Sequence, residues 1–60
     1  MTISKLEDGR IIKLADATFY EWNNGEWTLP TAPINLGDHW NADYVSDEEL
    51  EALGIKERNE

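Results

Sequence analysis

Residues 18–29 read Thr-Phe-Tyr-Glu-Trp-Asn-Asn-Gly-Glu-Trp-Thr-Leu, and this stretch decides the fold. Two runs of β-favouring residues flank Asn24–Gly25, and Asn-Gly between such runs is the strongest short-range signal for a β-hairpin. Both residues tolerate the positive φ that a type I′ turn requires. With this turn Trp22 lies opposite Trp27, and such a cross-strand aromatic pair adds roughly 0.2–1 kcal/mol. The sequence therefore predicts a hairpin in this register.

Two further turn signals extend the hairpin into a β-meander. Asp8–Gly9 separates two apolar runs, and a two-residue turn there sets Glu7 opposite Arg10 as an opposite-charge pair. Asp16–Ala17 predicts a second reversal, because an Asp side chain can bond to the backbone of its own turn. Residues 1–30 are therefore predicted to form three or four antiparallel strands.

The predicted strands carry apolar side chains on both faces of the sheet. One face has Ile12, Leu14 and Phe19, and the other has Ile11, Tyr20, Trp22, Trp27 and Leu29. A sheet with one solvated face alternates apolar and polar residues more cleanly than this. The sheet is therefore expected to curl into a half-barrel, to be covered by the C-terminal half, or to meet a partner.

The segment after the sheet is predicted to cross the molecule without regular structure. Pro30 and Pro33 end the sheet, since proline donates no hydrogen bond to a central ladder. Residues 31–45 then show neither helical nor strand periodicity over a useful length. Trp40 is interpreted as an apolar lid that pins this crossover over the sheet.

The signals for a C-terminal helix are complete. Ser46 and Glu49 form a Ser-x-x-Glu capping box, and Gly54 fits a left-handed C-terminal cap. A helix of about two turns is too short to stand alone in water. We therefore expect its apolar side chains to pack against the sheet, and we expect residues 56–60 to fray.

The predicted architecture is one small α+β domain over residues 1–55. Residues 1–30 form a three- to four-stranded antiparallel meander that can close into a half-barrel. Residues 31–45 form an irregular crossover, and residues 46–54 form one short capped helix. Residues 56–60 are a frayed tail.

The composition places the chain among small acidic proteins. Thirteen acidic residues face five basic ones, which gives a net charge of −8. Such a chain repels nucleic acid and anionic membranes and is attracted to basic surfaces. There is no cysteine for a disulfide or a thiolate metal site, and no apolar run approaches the roughly 20 residues of a membrane span. We therefore expect a cytoplasmic protein, found in the host cytoplasm or the virion if a phage encodes it.

Side chains for catalysis or metal binding are scarce. His39 is the one histidine, and neither Ser4 nor Ser46 belongs to a nucleophile motif. A chain this small is expected to be hardly able to enclose a pocket of ~300 Å³, the lower end for ligand sites. Asp38, His39 and Asp43 match neither a calcium loop nor a zinc helix motif. We therefore expect no enzyme, no bound metal and no cofactor.

Two groups of residues are candidates for contact with a partner. The first is an acidic stripe along one side of the molecule, made of Asp38, Asp43, Asp47, Glu48 and Glu51. The second is aromatic and consists of Trp22, Trp27 and Trp40. Each group also has a plainer interpretation, since carboxylates at a helix start are commonly solvated and tryptophans are commonly well buried. The sequence leaves both interpretations open.

The favoured hypothesis is non-catalytic binding of another protein. In this hypothesis a small acidic accessory or inhibitor protein docks on a basic surface of a larger protein, without direct contact to nucleic acid or membrane. Its carboxylates can stand in for the phosphates of a nucleic acid, and a bacteriophage origin would be unsurprising for a chain of this size and charge. One alternative is a structural subunit of an assembly such as a virion, either as a homo-oligomer or among other subunits.

A second alternative is carbohydrate binding through exposed tryptophans. The order of strands and aromatics from Gly9 to Trp27, followed by Pro33 and Trp40, resembles that of small chitin-binding modules. The resemblance implies a small carbohydrate-binding module.

Overall fold

The fold is an antiparallel β-sheet with two short helices, seen in a computed structural model that describes residues 1–59. The elements are β1 (Thr2–Lys5), β2 (Ile11–Ala15), β3 (Thr18–Asn23), β4 (Glu26–Thr28), α1 (Leu36–Trp40), β5 (Asp43–Tyr44) and α2 (Asp47–Leu53). The five strands form one sheet in the order β4-β3-β2-β1-β5. The predicted α+β class, with a meander followed by a C-terminal helix, is confirmed.

The hairpin of β3 and β4 has the predicted register. Trp22 lies opposite Trp27, with ring centroids 4.9 Å apart and ring planes at 65°. Asn24 has a φ of 50° and Gly25 a φ of 81°, the left-handed values that a type I′ turn needs. The turn between β2 and β3 is also the predicted one, since Ala15 pairs with Thr18 across residues 16–17.

The hairpin of β1 and β2 differs from the prediction by one residue. Lys5 pairs with Ile11, so the connection is a three-residue loop rather than a two-residue turn. Gly9 occupies the left-handed position of this loop, with a φ of 94°, as three-residue hairpins commonly require. The predicted register would turn Ile3 and Ile11 to opposite faces, because a one-residue slip flips a strand. In the observed register both side chains enter the same core.

The main core lies between one face of the sheet and α2. Its buried members are Ile3, Ile11, Val45, Leu50 and Ile55, with Trp22 and Trp27 packed against them. The predicted caps of α2 are present: the Ser46 hydroxyl accepts the N–H of Glu49, and Gly54 is left-handed with a φ of 82°. The helix therefore packs on the sheet, as its short length requires.

The prediction that residues 31–45 form an irregular crossover is wrong in part. This segment contains α1 and β5, and the side chain of Asn35 accepts the N–H of Gly37 at 2.8 Å to begin the helix. The strand β5 extends the sheet beside β1, where Val45 N–H donates to Ile3 C=O at 3.0 Å. Trp40 is not a lid, because 87% of it is exposed.

The tail also departs from the prediction that residues 56–60 fray. Glu57 accepts a hydrogen bond from the Trp27 indole at 3.3 Å, and the Asn59 amide bonds to the backbone of Ile3 and Val45. Residues 56–59 therefore pack along the sheet edge and α2, while Glu60 lies outside the described residues. Neither helix within residues 1–59 has the length and apolar character needed to cross a membrane.

Candidate functional site

An apolar groove lies on the sheet face opposite α2. It has a volume of about 560 Å³ and is lined by Leu14, Phe19, Leu36, Gly37, His39 and Trp40. This volume exceeds the ~300 Å³ of the smallest usual ligand sites, but the expectation was that the chain can hardly enclose such a pocket, and this space is not enclosed. The space is an open groove rather than a closed cavity, because its rim residues Leu36 and Trp40 are 73% and 87% exposed.

The sheet supplies the floor of the groove. The turn at residues 16–17 sets Leu14 directly opposite Phe19, so their side chains share one face. Neither side chain is fully buried, since the crossover covers this end of the sheet only in part. The floor is therefore an apolar surface that the chain itself leaves half covered.

Helix α1 forms the wall of the groove and is weakly attached to the sheet. The helix has no buried residue. Its contact with the floor is the ring of His39, which meets the Phe19 ring edge-to-face at a centroid distance of 5.1 Å. The Nδ1 atom of His39 is shielded from solvent and has no hydrogen-bond partner within the described residues. The wall therefore presents Leu36 and Trp40 outward without using them in the core.

A buried carboxylate fixes the chain that leads to α1. Glu21 accepts the backbone N–H of Thr31 at 3.1 Å and its hydroxyl at 3.0 Å, and Arg10 Nη1 lies 3.5 Å from the same carboxylate. Arg10 Nη1 also donates to the C=O of Ala32 at 3.1 Å. The Thr31 N–H, together with the nearby guanidinium, holds the pKa of Glu21 below its usual value despite burial. These contacts position the start of the crossover over the sheet.

The predicted acidic stripe is divided between the two sides of the sheet. Asp38 lies in α1 but does not line the groove, because it is on the side of the helix opposite Leu36 and Trp40. Asp43 pairs with Lys5, so its side chain belongs to the α2 face. Asp47 and Glu51 lie in α2 and contact the Arg58 guanidinium at 3.8 and 3.4 Å.

Some of the carboxylates have no basic partner. In residues 1–59, Asp38, Asp43 and Glu48 are exposed and form no ion pair. Asp16, in the turn next to the groove floor, is likewise exposed and unpaired within this range. The groove therefore has an unpaired carboxylate next to its floor, in Asp16, whereas Asp38 lies on the outer side of its wall.

The basic residues lie away from the groove or are already neutralised. Lys5 and Lys13 point to the α2 face by their register with Ile11 and Ile3. Arg10 shares the groove face, but Asp8 binds its Nε at 2.8 Å and Glu21 lies beside it. The remaining two, Lys56 and Arg58, belong to the tail that packs on the α2 side. No unpaired base therefore accompanies the groove in the described chain.

The two hairpin tryptophans belong to a separate cavity on the α2 face. This cavity of about 250 Å³ is lined by Trp22, Gly25, Glu26, Trp27, Gly54, Lys56 and Glu57. The Lys13 ammonium lies 4.6 Å from the centroid of the Trp27 ring, and Glu57 accepts the indole N–H. Because the two indoles meet edge-to-face and pack on the core, they do not make a flat two-ring platform.

The groove lining contains one titratable side chain, His39, and no hydroxyl, carboxylate or amine. Within residues 1–59 no three His, Asp or Glu side chains are arranged to hold a metal ion. The arrangement is suited to burying an apolar group beside acidic side chains. The sequence predicted Trp40 as a contact and placed Leu14 and Phe19 on one apolar face of the sheet. It did not indicate Leu36 and His39 as lining residues, and their signal is the Asn35 cap of α1.

Comparisons with known proteins return no matching family model, no similar curated protein and no similar solved structure.

Proposed function

We propose that this protein is a non-catalytic binding module that docks on a basic surface of a larger protein, as an accessory or inhibitor. The observation that carries the proposal is the position of Trp40, 87% exposed on the rim of an apolar groove. Exposed apolar clusters mark interaction sites, and tryptophan is prominent among the residues that dominate binding energy at interfaces. A chain with a small core gains no stability from leaving such a residue outside.

The charge supports a basic partner. The chain carries a net charge of −8. Asp16 next to the groove floor and Asp38 on the outer side of the groove wall are unpaired, and no unpaired base lies beside the groove in residues 1–59. Complementary charge accelerates encounter and disfavours wrong partners. The nucleic-acid mimic version of the proposal receives less support, since Asp47 and Glu51 share an ion-pair partner in Arg58 and the acidic residues are split across the sheet.

The role of a structural subunit in an assembly is the second candidate. It is favoured by Tyr44, which pairs with Ser4 and so shares the groove face while remaining 75% exposed. Tyr44 and the groove rim are apolar surface that neighbouring subunits could cover. The two roles differ in electrostatics, because an apolar subunit contact depends little on salt.

A capture experiment with the tagged chain tests the proposal. The protein is used to retrieve partners from the host at increasing salt, from about 0.01 M to about 1 M, over which the Debye length falls from about 30 Å to about 3 Å. Asp38→Asn and Trp40→Ala are the test variants. The matched controls are Glu7→Gln and Leu29→Ala, an unpaired exposed acid and an exposed apolar residue away from the groove.

We expect to capture a basic protein. Both control variants should still bind it, Trp40→Ala should not, and rising salt should release it from the parent chain. A partner that stays bound at high salt, or that binds both test variants equally well, contradicts it.

A further inference from the structure

We infer that the groove receives one large apolar side chain from a partner segment that carries Lys or Arg beside it. This inference rests on the proposed function and identifies the part of the partner that is recognised. The groove, of about 560 Å³, has room for one aromatic or long aliphatic side chain. Its lining by Leu14, Phe19, Leu36 and Trp40 offers such a side chain apolar contact on floor and wall.

The rim of the groove determines what must flank that side chain. Asp16 follows the floor residue Leu14 by two positions, and Asp38 lies on the side of α1 that faces away from the lining. Both carboxylates are exposed and lack an ion pair within residues 1–59. An ammonium or guanidinium group beside the anchor would find Asp16 next to the floor, and one that reaches past the wall would find Asp38.

A second copy of the chain is a poor occupant. A symmetric dimer through this face would bring each copy's patch against the same patch of its partner. Asp16 of both copies would then lie beside one interface between two chains that each carry a net charge of −8. Like charges placed together across an interface are costly, so the charge distribution favours a basic partner over self-association.

Weak attachment of the wall suits a groove that closes on its ligand. Helix α1 has no buried residue and meets the floor through the contact between His39 and Phe19. A small rotation of the helix therefore displaces no core side chain. The wall can adjust to the size of the anchor, so several large apolar side chains should be accepted at one position.

A displayed library of random peptides tests the inference with the full chain as bait. The enriched peptides should share one large apolar residue flanked by Lys or Arg. Replacing that apolar residue by Ala should weaken binding at least about tenfold, as expected for an interface anchor. Trp40→Ala should weaken binding by a similar factor, and Asp16→Asn should weaken it at low salt. Chemical-shift changes should map to Leu14, Phe19 and α1.

The matched controls are Leu29→Ala and Glu7→Gln, which should bind the selected peptides as the parent chain does. Each variant is checked for the fold by its circular dichroism and thermal midpoint. The inference is overturned if no peptide is enriched, if the enriched peptides lack basic residues, or if Trp40→Ala binds them unchanged. It is also overturned if the chain sediments as a dimer that Trp40→Ala dissociates, since a second copy then fills the groove.

One outcome separates this inference from the proposed function. This outcome is a set of basic peptides that bind Trp40→Ala normally but bind Glu48→Gln or Glu51→Gln, both in α2, more weakly. Such a result would mean that the protein docks on basic partners through α2 and that the groove is not the recognition site.

Discussion

The side-chain amide of Asn59 pairs with both backbone groups of Ile3, accepting its N–H and donating to its C=O. The same amide nitrogen donates to the C=O of Val45 at 3.0 Å. A neighbouring strand would offer the backbone of β1 the same donor and acceptor. One side chain from the tail thus continues the ladder where the short strand β5 stops pairing with β1.

Replacing Asn59 by Ala should destabilise the protein by about 1–3 kcal/mol, because it leaves the N–H of the buried Ile3 without a partner, while the Ile3 C=O keeps its bond from Val45. Urea denaturation measures the change, and faster amide exchange at Ile3 localises it. Lys56→Ala, at an exposed position of the same tail, is the control and should change little. An Asn59→Ala protein as stable as the control would contradict the role assigned to this amide.

Stability should fall in acid because Glu21 is held ionised. Its pKa lies below the ordinary 4.5, first because of the Thr31 N–H bond and also because of Arg10. A lowered pKa in the folded state means that the carboxylate stabilises fully above about pH 4.5 and loses this effect as pH falls through the folded value. Asp8 and Glu57 also have lowered pKa values, so their protonation contributes to the same loss of stability at low pH.

The variant Glu21→Gln separates the contribution of this carboxylate. It should be less stable than the parent at neutral pH, and the difference should shrink below about pH 4.5 as the parent's carboxyl protonates. Urea midpoints measured from about pH 7 to about pH 3 provide the comparison. A constant difference across this range would show that Glu21 does not act through its charge.

Ala17→Gly should stabilise the protein. Ala17 has a φ of 61°, a left-handed conformation that costs a residue with a Cβ about 1–2 kcal/mol. Glycine removes that cost but gains freedom in the unfolded chain, so the net gain should be about 0.5–1 kcal/mol. Ala15→Gly, within β2, is the matched control and should destabilise. Thermal midpoints that move the same way for both variants would refute the strain at Ala17.

Truncation to alanine should lower the stability of the protein strongly at Leu50 and hardly at all at Trp40. Leu50 is fully buried in the core, so Leu50→Ala should cost about 2–5 kcal/mol of unfolding free energy. Trp40 is 87% exposed, and Trp40→Ala should stay within about 0.5 kcal/mol of the parent. Urea titrations of both variants measure this. A large loss with Trp40→Ala would place that side chain in the folding core and remove it from the binding surface.

Features that depend on neighbours in sequence could be predicted. The turn at Asn24–Gly25 follows from two residues that accept positive φ, and α2 follows from Ser46, Glu49 and Gly54 within one short segment. The Asp8–Gly9 register could not be read in the same way. Those residues suit both a two-residue turn and a three-residue loop. The three-residue loop forms because it places Ile3 and Ile11 on the same face of the sheet, in one core.

Features that depend on distant residues were missed. Asn59 and Ile3 are separated by 56 positions, and no local pattern joins them. Helix α1 spans five residues, too few for a helical period to show, and it is visible only through the Asn35 cap. The groove was missed for the same reason, because its wall is α1 and its floor is a pair of strand residues. Asp38, on the outer side of its wall, and its rim residue Trp40 were among the predicted contacts.

Since α1 contributes no side chain to the interior, its outward positions are released from the demands of folding. Leu36, Asp38 and Trp40 can be exchanged, singly or together, while the hairpins and α2 hold the framework constant. The affinity of this surface can therefore be retuned by randomising three codons, with a new specificity gained at little risk to the scaffold beneath it.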